Sequence, residues 1–291
     1  MNKLTRRNFL GKTLALGAGL SSLTLVKNTK LNATLRTTED NISLAEWALV
    51  KEIQERKWTN LDFPRICRED FDINGCEFVN SLFDAPTQGY LDRLKKNAEK
   101  YNVKMVLIMV DDEGETAAPT KKERMQTVIN HRKWIDVAAY LGCHAIRTNC
   151  RGPTDASKED MLNWAEETYN LMLEYAVPAK VSIVIENHGG ISNDPDWMVA
   201  LFERVNSLYF GSYPDWRSRS DTFDNYEYIR KMLPYAQGMS ARNQPTYEET
   251  KRIVDLCHNG GYRGWYGIET SGREGIIATK KALEKALFGK E

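Results

Sequence analysis

The stretch Val184-Ile185-Glu186-Asn187-His188-Gly189-Gly190 reads as the end of a buried strand, where aliphatic residues stop at a carboxylate, an amide and an imidazole and glycines follow. Parallel α/β sheets carry their reactive groups at such carboxyl ends. A second stretch, Trp265-Tyr266-Gly267-Ile268-Glu269, closes on the same Ile-Glu pair. Glu269 is therefore a candidate partner carboxylate for Glu186, provided that one sheet brings the two together.

Outward from these stretches, short apolar runs alternate with long amphipathic ones, the pattern of a parallel sheet built from βα units. The predicted strands span 42–49, 75–79, 103–110, 144–150, 181–188, 208–213, 238–242 and 265–269. Helix starts are marked between them: Ser157 with Asp160, Asp194 before Pro195, and Thr246 with Glu249 can each accept from free amide groups of a first turn. Ile129, Trp134, Ala138 and Leu141 are read as the sheet-facing stripe of one helix. Eight units in roughly 250 residues predict a single-domain (β/α)8 TIM barrel over residues 42–291. A doubly wound open sheet is the structural alternative, but it calls for a glycine-rich first turn or a switch point, and neither is visible.

The N-terminus reads differently. Thr5-Arg6-Arg7-Asn8-Phe9-Leu10, then Lys12 and a weakly apolar run from Leu14 to Val26, match a twin-arginine export signal over residues 1–33. Residues 34–41 read as a tether, with cleavage expected near Ala33. Gly17-Ala18-Gly19 is signal-peptide glycine and not a dinucleotide fingerprint, because no strand precedes it. The expectation is a folded export to the periplasm or another extracytoplasmic compartment, with the twin-arginine machinery as a partner.

Residues 1–33 hold six of the 40 basic residues and none of the 40 acids, so the remainder carries a net charge of about −6. That balance argues against nucleic acid as a partner. No apolar run after Ala33 approaches the roughly 20 residues that span a bilayer. The five cysteines, Cys67, Cys76, Cys143, Cys150 and Cys257, show no CxxC spacing and are expected as small core residues rather than zinc ligands. A small polar carbohydrate is the expected ligand.

Taken in order, the predicted strand ends deliver Glu46, Glu77, Asp111 with Asp112, Asn149 with Arg151, Glu186 with His188, Asp215, Ser240 with Arg242, and Glu269. With Leu44-Ala45-Glu46-Trp47, Gly75-Cys76-Glu77-Phe78-Val79, Leu141-Gly142-Cys143, Tyr213-Pro214-Asp215 and Gly261-Tyr262-Arg263-Gly264 in sequence, the chain resembles the xylose-isomerase-like sugar phosphate isomerase/epimerase family. The resemblance covers essentially the whole chain after the signal. It implies a divalent metal held by Glu186, Asp215 and Glu269 from the fifth, sixth and eighth strands. Metal-binding epimerases of the family usually add a histidine from the seventh strand. Ser240 stands at that position here, and Arg242 replaces a lysine of family motifs.

Moving a proton beside a carbonyl needs a base, an acid and positive charge near the oxygen. Glu186 and Glu269 are the candidate acid/base pair. An oxygen-rich set of Glu186, Asp215, Glu269 and Ser240 would favour Mg²⁺ or Mn²⁺ over Zn²⁺. Glu77, Asn149, His188, Arg217, Arg242, Trp47 and Trp216 are candidate substrate contacts. Solvated arginine, tryptophan core packing and a second-line role for Glu77 are the plainer readings of those residues. His131, His144 and His258 read as structural. The expected activity is a sugar isomerase or epimerase; a keto-sugar glycoside lyase or hydrolase on the same site, and a sugar-binding barrel without turnover, are the alternatives.

Overall fold

The computed structural model describes residues 41–216 and 224–290. The proposed signal and tether up to residue 40, and Arg217, lie outside them. Eight parallel strands form the described sheet: β1 (Ile42–Ala45), β2 (Gly75–Val79), β3 (Lys104–Val110), β4 (Ala145–Asn149), β5 (Ser182–Glu186), β6 (Phe210–Ser212), β7 (Met239–Ala241) and β8 (Tyr266–Ile268). Each pairs with its sequence neighbour from β1 to β6, while β8 pairs with both β1 and β7. The remaining seam, β6 to β7, is closed by bridges at Ser212–Ala236 and Asp215–Ser240. Ser240 donates its amide to the Pro214 carbonyl at 2.9 Å, and Trp216 donates to the Ser240 carbonyl at 3.1 Å. A closed ring in chain order is a (β/α)8 barrel, which removes the open-sheet alternative.

Seven longer helices surround it: α1 (Gln88–Lys100), α2 (Lys121–Leu141), α3 (Lys158–Ala179), α4 (Pro195–Val205), α5 (Asn225–Met232), α6 (Tyr247–Asn259) and α7 (Arg273–Phe288). Between β1 and β2 the chain makes several short helical turns instead of one long helix. The expected caps are formed. Ser157 accepts from the Asp160 amide, Asp194 accepts from Asp196 and Trp197, and Thr246 with Glu249 makes a reciprocal capping box.

Strand ends differ from expectation where short polar stretches follow. β1 stops at Ala45, because Glu46–Leu49 turns into a 3-10 helix. β6 and β7 are only three residues long, so Asp215 and Arg242 lie just past their strands, as does Glu269 past β8. On α2, Trp134, Ala138 and Leu141 are buried, but Ile129 is 46% exposed. The buried stripe runs instead through Val128, His131 and Ile135, which sit at helical spacing with Trp134 and Ala138.

Strand side chains alternate between the helix layer and the barrel interior. Leu44, Phe78, Ile108, Ile146, Ile183, Ile185 and Ile268 belong to the large apolar layer between sheet and helices. Ala45, Val79, Leu107, Met109, Ala145, Val184, Tyr213 and Trp265 form a smaller interior cluster. The polar side chains that share this inner face make the site. All five cysteines are buried and free, as expected of core residues. Among the described residues no helix is long and apolar enough to cross a membrane.

Candidate active site

In mid-barrel, Glu77 on β2 is fully buried. Ser43 on β1 donates to its Oε1 at 2.6 Å, and the hydroxyl of Tyr213, across the barrel, donates to Oε2. Burial raises the Glu77 carboxyl to about 7 against the pull of these two donors. Gly267 on β8 lies against this carboxylate, and a Cβ there would stand 2.6 Å from Glu77 Cδ. Glycine at 267 therefore makes room for the acid. Glu77 braces the barrel interior beneath the mouth.

Above it stand two acid–arginine clusters. Arg147 on β4 is 1% exposed. Its Nε lies 3.0 Å from Glu186 Oε2, and its Nη1 donates to Asp111 Oδ1 at 2.7 Å. Asn149 Nδ2 donates to the same Asp111 oxygen at 2.7 Å, and Trp47 Nε1 donates to Asp111 Oδ2 at 3.2 Å. Asn80 exchanges hydrogen bonds with the Asp111 main chain in both directions. Although burial opposes it, Arg147 holds the Asp111 carboxyl below the usual range.

In the second cluster, Arg242 grips Asp215 through Nε–Oδ1 and Nη2–Oδ2 contacts, both 3.1 Å. The same guanidinium reaches Glu269 Oε1 at 3.0 Å, and its Nη1 donates to the Glu269 carbonyl. Ser240 donates to Glu269 Oε2 at 2.7 Å. Asp215 is positioned by Asn187, which accepts from its amide at 2.7 Å and donates to its carbonyl at 3.1 Å. Glu186 joins the two clusters. Burial pushes its carboxyl up and the charges of Glu269 and Asp215 push it further, while Arg147 and Arg242 pull it back.

The sequence-predicted set Glu186, Asp215, Ser240, Arg242 and Glu269 is thus brought together, with Asn149 beside it and Glu77 below. His188 sits on the rim, its Nδ1 3.0 Å from Arg151 Nη2. Trp216 is a correction to the substrate-contact set: it is buried, packed edge-on against Tyr266 in the outer apolar layer, so no face is open to a sugar. Trp47 is half-buried and its indole N–H serves Asp111. His131 is structural as expected, with Nδ1 2.8 Å from the Thr127 carbonyl.

Sequence reasoning missed Arg147. Its signal was available: in Ala145-Ile146-Arg147-Thr148-Asn149 it shares a face with Asn149, and a charged side chain inside a buried strand calls for a buried partner. Glu46 was read as a strand-end group but is a structural one. It is buried, takes the Val79 amide at 3.0 Å and the Asn60 amide group at 2.9 and 3.2 Å, and burial raises its carboxyl to about 8.

The family described as xylose isomerase-like TIM barrel matches residues 69–233, more than half of the chain. The chain belongs to the xylose isomerase-like TIM barrel family. No curated protein sequence matches it. Similar solved structures include a D-tagatose 3-epimerase-like protein, 15% identical with a TM-score of 0.69, over 85% of this chain and 97% of that one. A sugar phosphate isomerase/epimerase from Parabacteroides distasonis is 13% identical with a TM-score of 0.66, over 89% and 98%. A xylose isomerase-like TIM barrel protein from Mycobacterium smegmatis, in complex with magnesium, is 13% identical with a TM-score of 0.62, over 85% and 95%. At such identities these likenesses speak to the fold.

One of these similar barrels is in complex with magnesium, which raises the question of a cation among the donors here. The donor set does not fit one as arranged. Both oxygens of Asp215 and one of Glu269 face Arg242, the other Glu269 oxygen takes the Ser240 hydroxyl, and Glu186 Oε2 faces Arg147. Among the described residues no group of three or more His, Cys, Asp or Glu side chains is disposed to hold a metal ion.

Proposed function

We propose that this protein is an isomerase or epimerase of a sugar or an oxidised sugar derivative, with Glu186 and Glu269 as its acid/base carboxylates. The observation that carries this is the convergence of the two glutamates from the ends of β5 and β8, close enough for their charges to act on each other. Family membership and the epimerase and isomerase neighbours support an enzyme of this class. One glutamate takes the proton from the carbon beside a carbonyl and the other returns it. Their partners favour such a division of labour: Glu269 accepts from Ser240 and Arg242 at the mouth, whereas Glu186 is fully buried beside Arg147.

The test is proton exchange in heavy water with a panel of ketoses and keto-glycosides, followed by NMR. The expected result is deuterium at the carbon beside the carbonyl with interconversion of epimers. Glu186→Gln and Glu269→Gln should each lower the rate by about 10²–10⁴-fold while circular dichroism is unchanged. No exchange on any member of the panel, with ligand affinity unchanged in both variants, would refute the enzymatic reading in favour of a sugar-binding barrel. Release of an aglycone would replace it with a lyase.

We also infer an extracytoplasmic site of action for the exported chain, on the strength of Arg6 and Arg7 and the run that follows them. Cell fractionation of the Arg6→Lys/Arg7→Lys variant should leave the protein in the cytoplasm. Unchanged export of that variant would remove the twin-arginine route.

A further inference from the structure

Ser240 and Arg242 stand two residues apart, so they share a face at the end of β7, between Asp215 on one side and Glu269 on the other. Each makes the other's choice intelligible. The serine hydroxyl takes Glu269 Oε2 at 2.7 Å, which leaves Oε1 turned to Arg242 at 3.0 Å. The arginine then spans to both oxygens of Asp215 at 3.1 Å and donates to the Glu269 carbonyl as well. A planar guanidinium bound side-on to one carboxylate and also to a second acid holds both at once through several donors, which a lysine's single ammonium does less well.

A divalent ion bound to these carboxylates would need their oxygens at about 2.0–2.6 Å. Those oxygens already have guanidinium nitrogens about 3 Å away, so the ion and Arg242 would press two like charges together in a buried setting. At this position β7 offers a serine hydroxyl that is itself donating to Glu269.

The geometry points to Arg242 as the built-in cation of this site: its guanidinium occupies the place between Asp215 and Glu269 that a divalent ion would take, and the site works without one. The ion-binding half of this statement stands on the side-chain arrangement alone. The working half rests on the proposed proton transfer, for which Arg242 supplies the positive charge facing a developing enediolate oxygen. Its side chain is 13% exposed.

The experiment uses the full chain freed of ions by a chelator and titrated with Mn²⁺, following free Mn²⁺ by electron paramagnetic resonance, with thermal midpoints measured in Mg²⁺ and in Mn²⁺. The wild type is expected to bind no ion that depends on Glu186, Asp215 or Glu269, and to keep its midpoint. An ion whose binding survives Glu186→Gln, Asp215→Asn and Glu269→Gln lies elsewhere and agrees with the proposal. The Ser240→His/Arg242→Ala variant is expected to gain one Mn²⁺ per chain, raising its midpoint by on the order of 5–10 °C at a hundredfold excess over Kd.

One Mn²⁺ per wild-type chain that is lost in Glu269→Gln overturns the proposal, as does a folded Ser240→His/Arg242→Ala variant that gains none. Should that variant not fold, the wild-type titration decides by itself. In the exchange assay, turnover unchanged by chelator supports the working half, and turnover restored only by added Mg²⁺ or Mn²⁺ overturns it. A protein that exchanges no substrate at all defeats the proposed reaction and leaves the ion titration standing.

Discussion

Replacing Arg147 by methionine should be among the most damaging single changes to this barrel, and the reason can be followed atom by atom. The guanidinium is 1% exposed and neutralises two acids, Glu186 at 3.0 Å and Asp111 at 2.7 Å. Methionine fills much of the same volume, so the loss is electrostatic rather than a cavity. Asp111 keeps the Asn149 and Trp47 donors and lies partly exposed, so it tolerates the change. Glu186 keeps only the weaker pull of Arg242: it is fully buried, and its other neighbours Glu269 and Asp215 are acids.

Removing one partner of a buried ion pair costs about 3–5 kcal/mol, a large share of the roughly 5–15 kcal/mol that holds a typical domain together. Urea unfolding at pH 9, above the raised Glu186 value, should show this loss at an unchanged slope. The double variant Arg147→Met/Glu186→Gln should recover part of it, with an interaction energy of about 1–3 kcal/mol in the cycle. Glu186 is already raised to about 8 beside Arg147 and would be raised further without it, so this part of the penalty should shrink as the pH falls through 8. A loss below about 1 kcal/mol, or single-variant losses that simply add, would refute the reading of Arg147 as the counter-charge of Glu186.

Two further perturbations test other parts of the same interior. Glu46 and Glu77, raised to about 8 and about 7, bind protons more tightly folded than unfolded, so their contribution to stability is full near pH 4.5 and is lost as the pH rises through 7 to 8. Each changes stability by at most about 1.4 kcal/mol per pH unit in that window. The urea midpoint of Glu46→Gln should therefore gain on the wild type as pH increases from 5 to 8.5. Asn60 can flip its amide to receive the new Nε2–H, keeping the Val79 bond intact. Midpoint curves that run parallel over the whole range would sink this account. Gly267→Ala drives a Cβ to within 2.6 Å of Glu77 Cδ, an overpacking that should cost about 1–3 kcal/mol and lower the thermal midpoint by several degrees. The Gly267→Ala/Glu77→Ala pair should recover some of that loss, and an unchanged midpoint in the single variant would place Glu77 elsewhere than against β8.

The parts of this architecture that were legible in the sequence are those set by local periodicity. Alternation along β5 and β8 puts Glu186 and Glu269 on an inner face whatever their neighbours, and the capping residues Ser157, Asp194 and Thr246 act within three residues of themselves. Ile129 misled because a helix face is defined by all its positions together, and the apolar stripe of α2 passes one residue away through Val128. Trp216 misled for the complementary reason. It follows an inward acid directly, so alternation alone sends it outward into the apolar layer, where it meets Tyr266.

The pairings inside the barrel belong to a different category. Arg242 can grip Asp215 only because β6 and β7 close the ring through bridges at their ends, and Tyr213 reaches Glu77 only because β6 lies opposite β2. No spacing along the chain encodes which acid a buried arginine will meet, since that depends on ring closure. Ser240 and Arg242 could thus be read from sequence as departures from a metal-binding pattern, but not as a replacement for it. The replacement becomes visible when the two acids at the mouth are seen to share one guanidinium. On the proposed reading, the charge of the site is fixed by covalent structure, and its strength is set by the packing of β7 instead of by the supply of an ion.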